Sequence, residues 1–160
     1  IMASSAAGRP QRLLVAVNTG SGSAFRHALE LTRPHDELHV VSITQDLGVS
    51  GDDEEARRVA SLFEYLGAHC AAAERRCTFQ HLTYTHAHPG GRRAEIAQTL
   101  TTVAAATNVD TLVVGSRGLG LFERSTRGSV SDFCVRNAKC TAVAVAKPRL
   151  AQQTLPRSQQ

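Results

Sequence analysis

Aromatic side chains are scarce in this chain: tryptophan is absent, and aromatic residues together make up only 4% of the sequence. The core must therefore be aliphatic, since apolar residues of all kinds still reach 42%. No apolar run approaches the roughly 18 residues that a membrane-spanning helix requires. Basic runs interleaved with aromatics and zinc-finger spacings are also lacking, and the formal net charge is only +4. We therefore expect a globular protein with neither a membrane nor a nucleic acid as partner.

Cysteine is also in short supply, with four copies at positions 70, 77, 134 and 140 and no CxxC pair. A chain of 160 residues is long enough to form a stable hydrophobic core without disulfide bonds. We therefore expect reduced thiols, with Cys70 and Cys134 packed as small apolar residues and Cys140 either packed or redox-active. Residues 1–12 lack the apolar stretch of a secretory signal, which favours a cytoplasmic protein.

Short apolar runs alternate with segments of helical periodicity along most of the chain. The runs that predict strands are residues 12–17, 38–43, 79–85, 111–114 and 141–146. This alternation implies a five-stranded parallel sheet with helices on both faces, and right-handed crossovers favour the strand order 3-2-1-4-5. We therefore predict a Rossmann-like α/β domain over residues 11–148, between a disordered segment at 1–10 and a mobile tail at 149–160.

One glycine-rich loop stands at the point where such a sheet binds ligands. Ligands bind at the carboxyl ends of the strands where the winding direction reverses, and the loops starting at Asn18 and Gly115 both reach that point. The second loop, GSRGLGLFERSTRGSV at residues 115–130, contains four glycines and three arginines. Glycine lets backbone amides approach phosphate closely, and Ser129 can cap a helix whose N-terminus favours anions. The sequence therefore predicts a polyphosphate-binding loop.

The spacing of this loop narrows its interpretation. It is neither a P-loop, because no GxxxxGK[ST] occurs, nor a dinucleotide fingerprint, which would follow the first strand. The spacing Gly115-x2-Gly118-x9-Gly128-Ser129 instead resembles the nucleotide-binding signature of the universal stress protein family.

Other segments carry the same resemblance. LLVAVN at residues 13–18 and VDTLVVGSRG at 109–118 resemble the first and fourth strands of that family. GSVSDFCVRNAKCTAVAVAKP at 128–148 resembles its last helix and strand. The resemblance covers roughly residues 11–148, and it is strongest from residue 109 onwards.

The resemblance implies a stress-response regulator that binds ATP, AMP or ADP, with Mg²⁺ or Mn²⁺ on the phosphates. It implies a homodimer formed through the last strand, residues 141–146. No catalytic residue and no protein ligand for a metal is identified, and any activity would be slow ATP hydrolysis or autophosphorylation at Ser129. The residues that the resemblance places around the nucleotide are Ala16, Val17, Asn18, Ile43, Val114, Gly115, Arg117, Gly118, Gly128, Ser129 and Val130.

Position 18 departs from the family pattern, because asparagine stands where the family usually has aspartate. The Asn18 carbonyl can still accept a hydrogen bond from a ribose hydroxyl. It lacks the charge that makes such a bond roughly twice as strong. We therefore expect weaker nucleotide binding than in a member with aspartate.

Two other functions fit parts of the sequence. A nucleotide-free dimeric adaptor, acting through protein contacts, is favoured by Asn18 and opposed by the intact glycine spacing. A flavodoxin-like or electron-transfer module would need its phosphate loop after the first strand, where only NTGSGS at residues 18–23 is available.

Two further clusters have both a functional and a structural interpretation. Arg92 and Arg93 open a predicted helix, where the helix dipole disfavours cations, and they fit either a tolerated surface pair or an anion contact. His81, His86 and His88 match no standard metal motif, so we interpret them as a solvated strand end.

Overall fold

The computed structural model describes residues 8–18, 22–46, 48, 52–85, 89–115 and 129–146. Strands and helices alternate along these residues. They are β1 (Arg12–Ala16), α1 (Gly22–Leu31), β2 (Glu37–Gln45), α2 (Asp52–Ala72), β3 (Arg76–Tyr84), α3 (Arg92–Ala106), β4 (Thr111–Gly115), α4 (Ser129–Asn137) and β5 (Ala142–Ala146). Of the helices described, none is both long and apolar enough to cross a membrane.

The strands form a parallel sheet in the order β3-β2-β1-β4-β5. β1 pairs with β2 on one side and with β4 on the other, so that Val15 lies between Val40 and Val113. The predicted α/β class and its parallel sheet are confirmed. The winding of the chain reverses between β1 and β4, which opens a crevice at their carboxyl ends.

Each face of the sheet packs against two helices. On one face, alternate strand residues such as Leu13 and Val15 contact α1 and α2 through a buried cluster that includes Phe25. On the other face, residues such as Leu14 contact α3 and α4. Because both faces are buried, most interior positions of the central strands are apolar, and residues 13–16 of β1 and 112–114 of β4 appear as continuous runs in the sequence.

Cys134 lies fully buried in the second cluster, as predicted. Burial and, to a smaller degree, the neighbouring Cys140 raise the pKa of its thiol to about 12. The side chain therefore stays protonated at neutral pH and packs as a small apolar group.

The prediction of reduced thiols is wrong for one pair, because Cys70 and Cys77 form a disulfide. Cys70 lies near the end of α2 and Cys77 near the start of β3, and a tight turn brings their Cα atoms to 6.3 Å. That proximity arises only when the helix folds back along the strand. The seven-residue separation therefore gave no signal in the sequence. Cys134 and Cys140 are not part of a disulfide.

The start of β3 also differs from the prediction, because the strand begins at Arg76 rather than at residue 79. β3 lies at the edge of the sheet, and exposed and half-buried residues alternate along it. Exposed positions such as Thr78 carry polar side chains, so the apolar signal is weak where the strand begins.

Two buried carboxylates accept hydrogen bonds from backbone groups at the edge where the strands begin, which we call the amino edge. Asp36 accepts hydrogen bonds from the backbone N–H groups of Gln11 and Arg33, both at 2.8 Å. Asp110 accepts one from the Arg12 N–H at 2.9 Å and forms an ion pair with Arg9. These acids are 3% and 5% exposed, so their hydrogen bonds are shielded from water.

Candidate functional site

The crevice lies at the opposite edge, where the strands end, which we call the carboxyl edge. Because Val15 pairs with Val113, the residues that follow them, Ala16 and Val114, end side by side. Val114 is buried and Ala16 is half-buried. The half-buried Asn18 and Gly115 follow them at the mouth of the crevice. The structure therefore brings these four predicted site residues to one place.

Two further predicted residues reach the same face of the sheet. Ile43 on β2 is half-buried, and Val130 in the first turn of α4 is 4% exposed. Both belong to the cluster that contains Ala16 and Val114. An apolar wall therefore runs from β2 across β1 and β4 to α4, which is the kind of surface that a flat, apolar ligand group can pack against.

The side chain of Val17 lies on the other face of the sheet from the apolar wall. Its side chain is buried in the cluster on the α1 and α2 face, away from Ile43. Its backbone N–H donates to the Val41 carbonyl at 2.8 Å and so continues the sheet by one residue. Val17 therefore helps to fix the end of β1, and its side chain faces away from the apolar wall.

The predicted phosphate loop is only partly described. Ser129 is the first residue of α4, so a helix does begin where the sequence places one. Its first turn also contains Asp132, an acid that the positive end of the helix dipole favours. Arg117, Gly118 and Gly128 lie outside the described residues, and their role in holding phosphate stays a prediction.

The sequence did not identify Tyr84, the last residue of β3, as a site residue. Tyr84 is only 6% exposed and belongs to the same cluster as Ile43. Its buried hydroxyl has no acceptor for its proton, since the nearby Arg92 side chain can only donate to it. Burial raises the pKa of this hydroxyl, the charge and the hydrogen bond of Arg92 lower it, and Glu95 raises it. The signal available in the sequence was indirect: the arginine pair that opens the following helix.

The start of α3 confirms that this arginine pair opens a helix. Gly91 is the N-cap residue, with a left-handed φ of 82°, and it offers no side-chain hydrogen bond to the first turn. Arg92 is exposed, Arg93 is half-buried, and Glu95 is the acid of the first turn.

Of the three clustered histidines, the structure describes only His81. His81 Nε2 shares a 2.6 Å hydrogen bond with Thr44 Oγ1, whereas His86 and His88 lie outside the described residues. Within the described part of the chain, no group of three histidine, cysteine or acidic residues is arranged to hold a metal ion.

A cavity of about 460 Å³ lies at the amino edge, lined by Arg9, Pro10, Arg12, Glu37 and Asn108. Arg9 pairs with Asp110, and Arg12 approaches Glu37 at 3.4 Å. Its arginines are thus engaged with neighbouring acids. The carboxyl edge is therefore the stronger candidate for a binding site.

Comparison with models of protein families gives a match that covers most of the chain. A model of the universal stress protein family matches residues 10–146. A universal stress protein A-like protein from Arabidopsis thaliana is 50% identical over 38 residues, which cover 24% of this chain and 22% of that protein. The matched stretch therefore spans about a fifth of this curated relative.

Solved structures with the same fold include several that contain a nucleotide. A universal stress protein family protein from Arabidopsis thaliana with AMP bound is 23% identical, with a TM-score of 0.59, and covers 94% of this chain and 100% of its own. The universal stress protein from Archaeoglobus fulgidus in complex with dAMP is 18% identical, with a TM-score of 0.64 and coverage of 86% and 98%. At these identities the similarity establishes a shared fold.

Proposed function

The chain belongs to the universal stress protein family, and we propose that it binds an adenine nucleotide at the carboxyl edge of its sheet. The observation that carries this proposal is the apolar wall formed by Ala16, Ile43, Val114 and Val130 where the winding reverses. Such a wall suits the face of a base, and a helix begins beside it at Ser129 to favour a phosphate. The AMP and dAMP bound to the two solved relatives are in keeping with this ligand class.

The position of each residue suggests its role in the proposal. Ile43 would lie against the adenine, because it is the apolar residue near the end of β2, one strand away from β1. Asn18 would accept a hydrogen bond from the ribose at the end of β1. The backbone amides of Gly115, Gly118 and Gly128 would donate to the phosphates, together with Ser129 and Arg117. ATP, ADP or AMP would bind in this way, with Mg²⁺ or Mn²⁺ held by the phosphates.

The biological role that we propose is stress-response regulation by a cytoplasmic homodimer. β5 supports this assembly, because it lies at the outer edge of the sheet beside β4. An edge strand offers unpaired backbone groups to a second copy of the chain. Light scattering coupled to size exclusion would give twice the chain mass of 17.1 kDa for such a dimer.

The test of nucleotide binding begins with the protein as purified. Mass spectrometry after gentle denaturation should detect a released adenine nucleotide. Calorimetric titration of the emptied protein with AMP and ATP should then give a saturable isotherm. If no nucleotide is released and neither ligand binds at millimolar concentration, the nucleotide-free adaptor becomes the better description.

A further inference from the structure

The Cys70–Cys77 disulfide joins two elements that a hydrogen-bonded turn also holds together. The Arg75 N–H donates to the Cys70 carbonyl at 2.9 Å. The Glu74 N–H donates to the Ala71 carbonyl at 3.0 Å, and Glu74 adopts a left-handed φ of 54°, which reverses the chain after α2. The turn between α2 and β3 therefore has a hydrogen-bonded framework that does not depend on the bond between the two sulfur atoms.

Side-chain contacts around the disulfide hold this part of the fold as well. The Arg75 guanidinium donates from Nε to the Thr32 carbonyl at 2.8 Å, just after α1, and from Nη1 to the Ala73 carbonyl at 2.7 Å. Phe63 of α2 packs against Phe79 of β3, with ring centroids 5.2 Å apart. We therefore expect α2 and β3 to stay packed together when the disulfide is reduced.

The two bonded cysteines differ in their access to solvent. Cys70 is 3% exposed and belongs to the buried cluster on the α1 and α2 face of the sheet. Cys77 is half-buried near the start of the edge strand β3, between the exposed Arg76 and Thr78. The rate of thiol–disulfide exchange depends on which sulfur a thiolate can reach. Access therefore favours attack at Cys77.

We propose that the Cys70–Cys77 disulfide is a reversible redox pair that opens within the folded domain, and that Cys77 is the sulfur that exchanges with small thiols such as glutathione. A glutathione thiolate forms a bond to Cys77 Sγ, the bond to Cys70 Sγ breaks, and Cys70 leaves as a thiolate that takes a proton from water. A second glutathione thiolate attacks the glutathione sulfur of this mixed disulfide. That step releases Cys77 as a thiolate and glutathione disulfide as the oxidised product, so that two glutathione molecules have reduced one protein disulfide.

The same turn favours the reverse reaction. It holds the Cα atoms of Cys70 and Cys77 at 6.3 Å, which is within the usual range for a disulfide. Glutathione disulfide therefore transfers one glutathione to Cys77, and the Cys70 thiolate displaces it to close the bond again. The pair lies at the amino edge, away from the crevice, so the inference does not depend on nucleotide binding.

The other two cysteines do not form such a pair. Cys134 is fully buried, and burial is the main cause that raises the pKa of its thiol to about 12, so little reactive thiolate forms. Cys140 is half-buried and, like Cys134, is not part of a disulfide. A test must therefore separate the reaction of Cys140 with glutathione from that of Cys77, and the variant Cys140→Ser does so.

The test is reduction of the whole Cys140→Ser chain by glutathione, with and without urea at concentrations below the unfolding transition. Acid stops the exchange, and peptide mass spectrometry then locates each glutathione adduct. We expect the adduct on Cys77, and a rate that urea changes less than about twofold, because opening within the folded domain exposes little surface. A rate that rises steeply with urea, or glutathione on Cys70 as often as on Cys77, would mean that the disulfide opens only when the chain unfolds, which would overturn the proposal.

The control variant is Leu100→Ala, added to the Cys140→Ser chain. Leu100 is 0% exposed in the cluster on the other face of the sheet, so its truncation should raise the unfolded population at least about thirtyfold without touching the disulfide. We expect the reduction rate to change less than about twofold. A rise that matches the unfolded population would contradict the proposal. If Leu100→Ala does not fold, the urea series decides the same question in the parent chain.

A last measurement tests whether the pair is reversible in the folded state. The far-ultraviolet circular dichroism of the reduced chain should match that of the oxidised chain, and glutathione disulfide should restore the Cys70–Cys77 bond without denaturant. Loss of the helical signal on reduction, or failure of the bond to form again, would overturn the proposal. The calorimetric AMP titration separately decides the proposed function.

Discussion

The two edges of the sheet differ in how fully their polar groups are paired. At the amino edge, the carboxylates of Asp36 and Asp110 each accept at least one backbone hydrogen bond, and a disulfide joins α2 to β3. At the carboxyl edge, the buried Tyr84 hydroxyl has no acceptor for its proton, and Gly91 caps α3 without a side chain.

This difference indicates a division of roles within one small domain. Hydrogen bonds that are already made at the amino edge stabilise the fold and leave little for a ligand to satisfy. Donors without acceptors at the carboxyl edge lower stability slightly but gain a partner when a ligand binds. We therefore expect substitutions at the first edge to change the free energy of unfolding, and substitutions at the second to change binding.

The largest effect on stability should come from Asp36→Ala. The backbone N–H groups of Gln11 and Arg33 would lose their acceptor at a site that is 3% exposed. We expect the free energy of unfolding to fall by about 3 kcal/mol, since each unsatisfied group costs about 1–3 kcal/mol. Urea denaturation would measure the loss, and the AMP affinity of the folded variant should stay unchanged.

Glu64→Ala on the exposed side of α2 is the control for Asp36→Ala. It should change stability by less than about 0.5 kcal/mol. A similar small loss in Asp36→Ala would show that the amino edge is not where stability is concentrated.

Reduction of the Cys70–Cys77 disulfide should have the next largest effect. Closing a loop with a sequence separation of seven limits the unfolded chain, and the expected loss on reduction is about 2.5 kcal/mol. Urea denaturation with and without reductant measures this difference. In the double variant Cys70→Ala/Cys77→Ala the reductant should not change the free energy of unfolding. If the reductant still lowered it, the loss of stability would come from another thiol.

At the carboxyl edge, Gly128→Val should lower AMP affinity at least tenfold, which corresponds to about 1.4 kcal/mol. The reason is steric: the proposed phosphate-binding loop brings its backbone close to the ligand, and a branched side chain would occupy that space. Calorimetry would measure the affinity. Gly8→Val provides the control, because a Cβ at Gly8 would meet no atom within 4 Å. Equal affinities in the two variants would contradict the proposed loop.

The smallest predicted effect is a gain in affinity from Asn18→Asp. A carboxylate would accept a charge-assisted hydrogen bond from the ribose and should tighten AMP binding about threefold. Asn108→Asp introduces the same charge at the amino edge and should leave the affinity unchanged. Weaker AMP binding in Asn18→Asp would show that the ribose does not donate a hydrogen bond to residue 18.

The central strands could be predicted from the sequence, because burial on both faces makes most of their residues apolar. The start of β3 could not, since an edge strand exposes polar residues such as Thr78. The Cys70–Cys77 disulfide was also missed, because the two residues meet only after α2 folds back onto β3.

Some residues of the candidate site could also be predicted from the sequence, and others could not. The glycine spacing and the family resemblance locate the strand ends, and they therefore predict the residues of the apolar wall, which are Ala16, Ile43, Val114 and Val130. Tyr84 could not be recognised as a site residue. Whether a hydroxyl finds a hydrogen-bond partner depends on atoms from several elements that only the folded chain brings together.

The central position of β1 has a consequence for synthesis on the ribosome. β1 can pair with β2 as soon as residue 41 has emerged, but its other neighbour, β4, begins only at Thr111. For most of translation, one side of β1 therefore has open hydrogen-bonding groups that a neighbouring nascent chain could occupy. Slow elongation between α2 and β4 would prolong this exposure, so the yield of folded protein should depend on the rate at which that segment is translated.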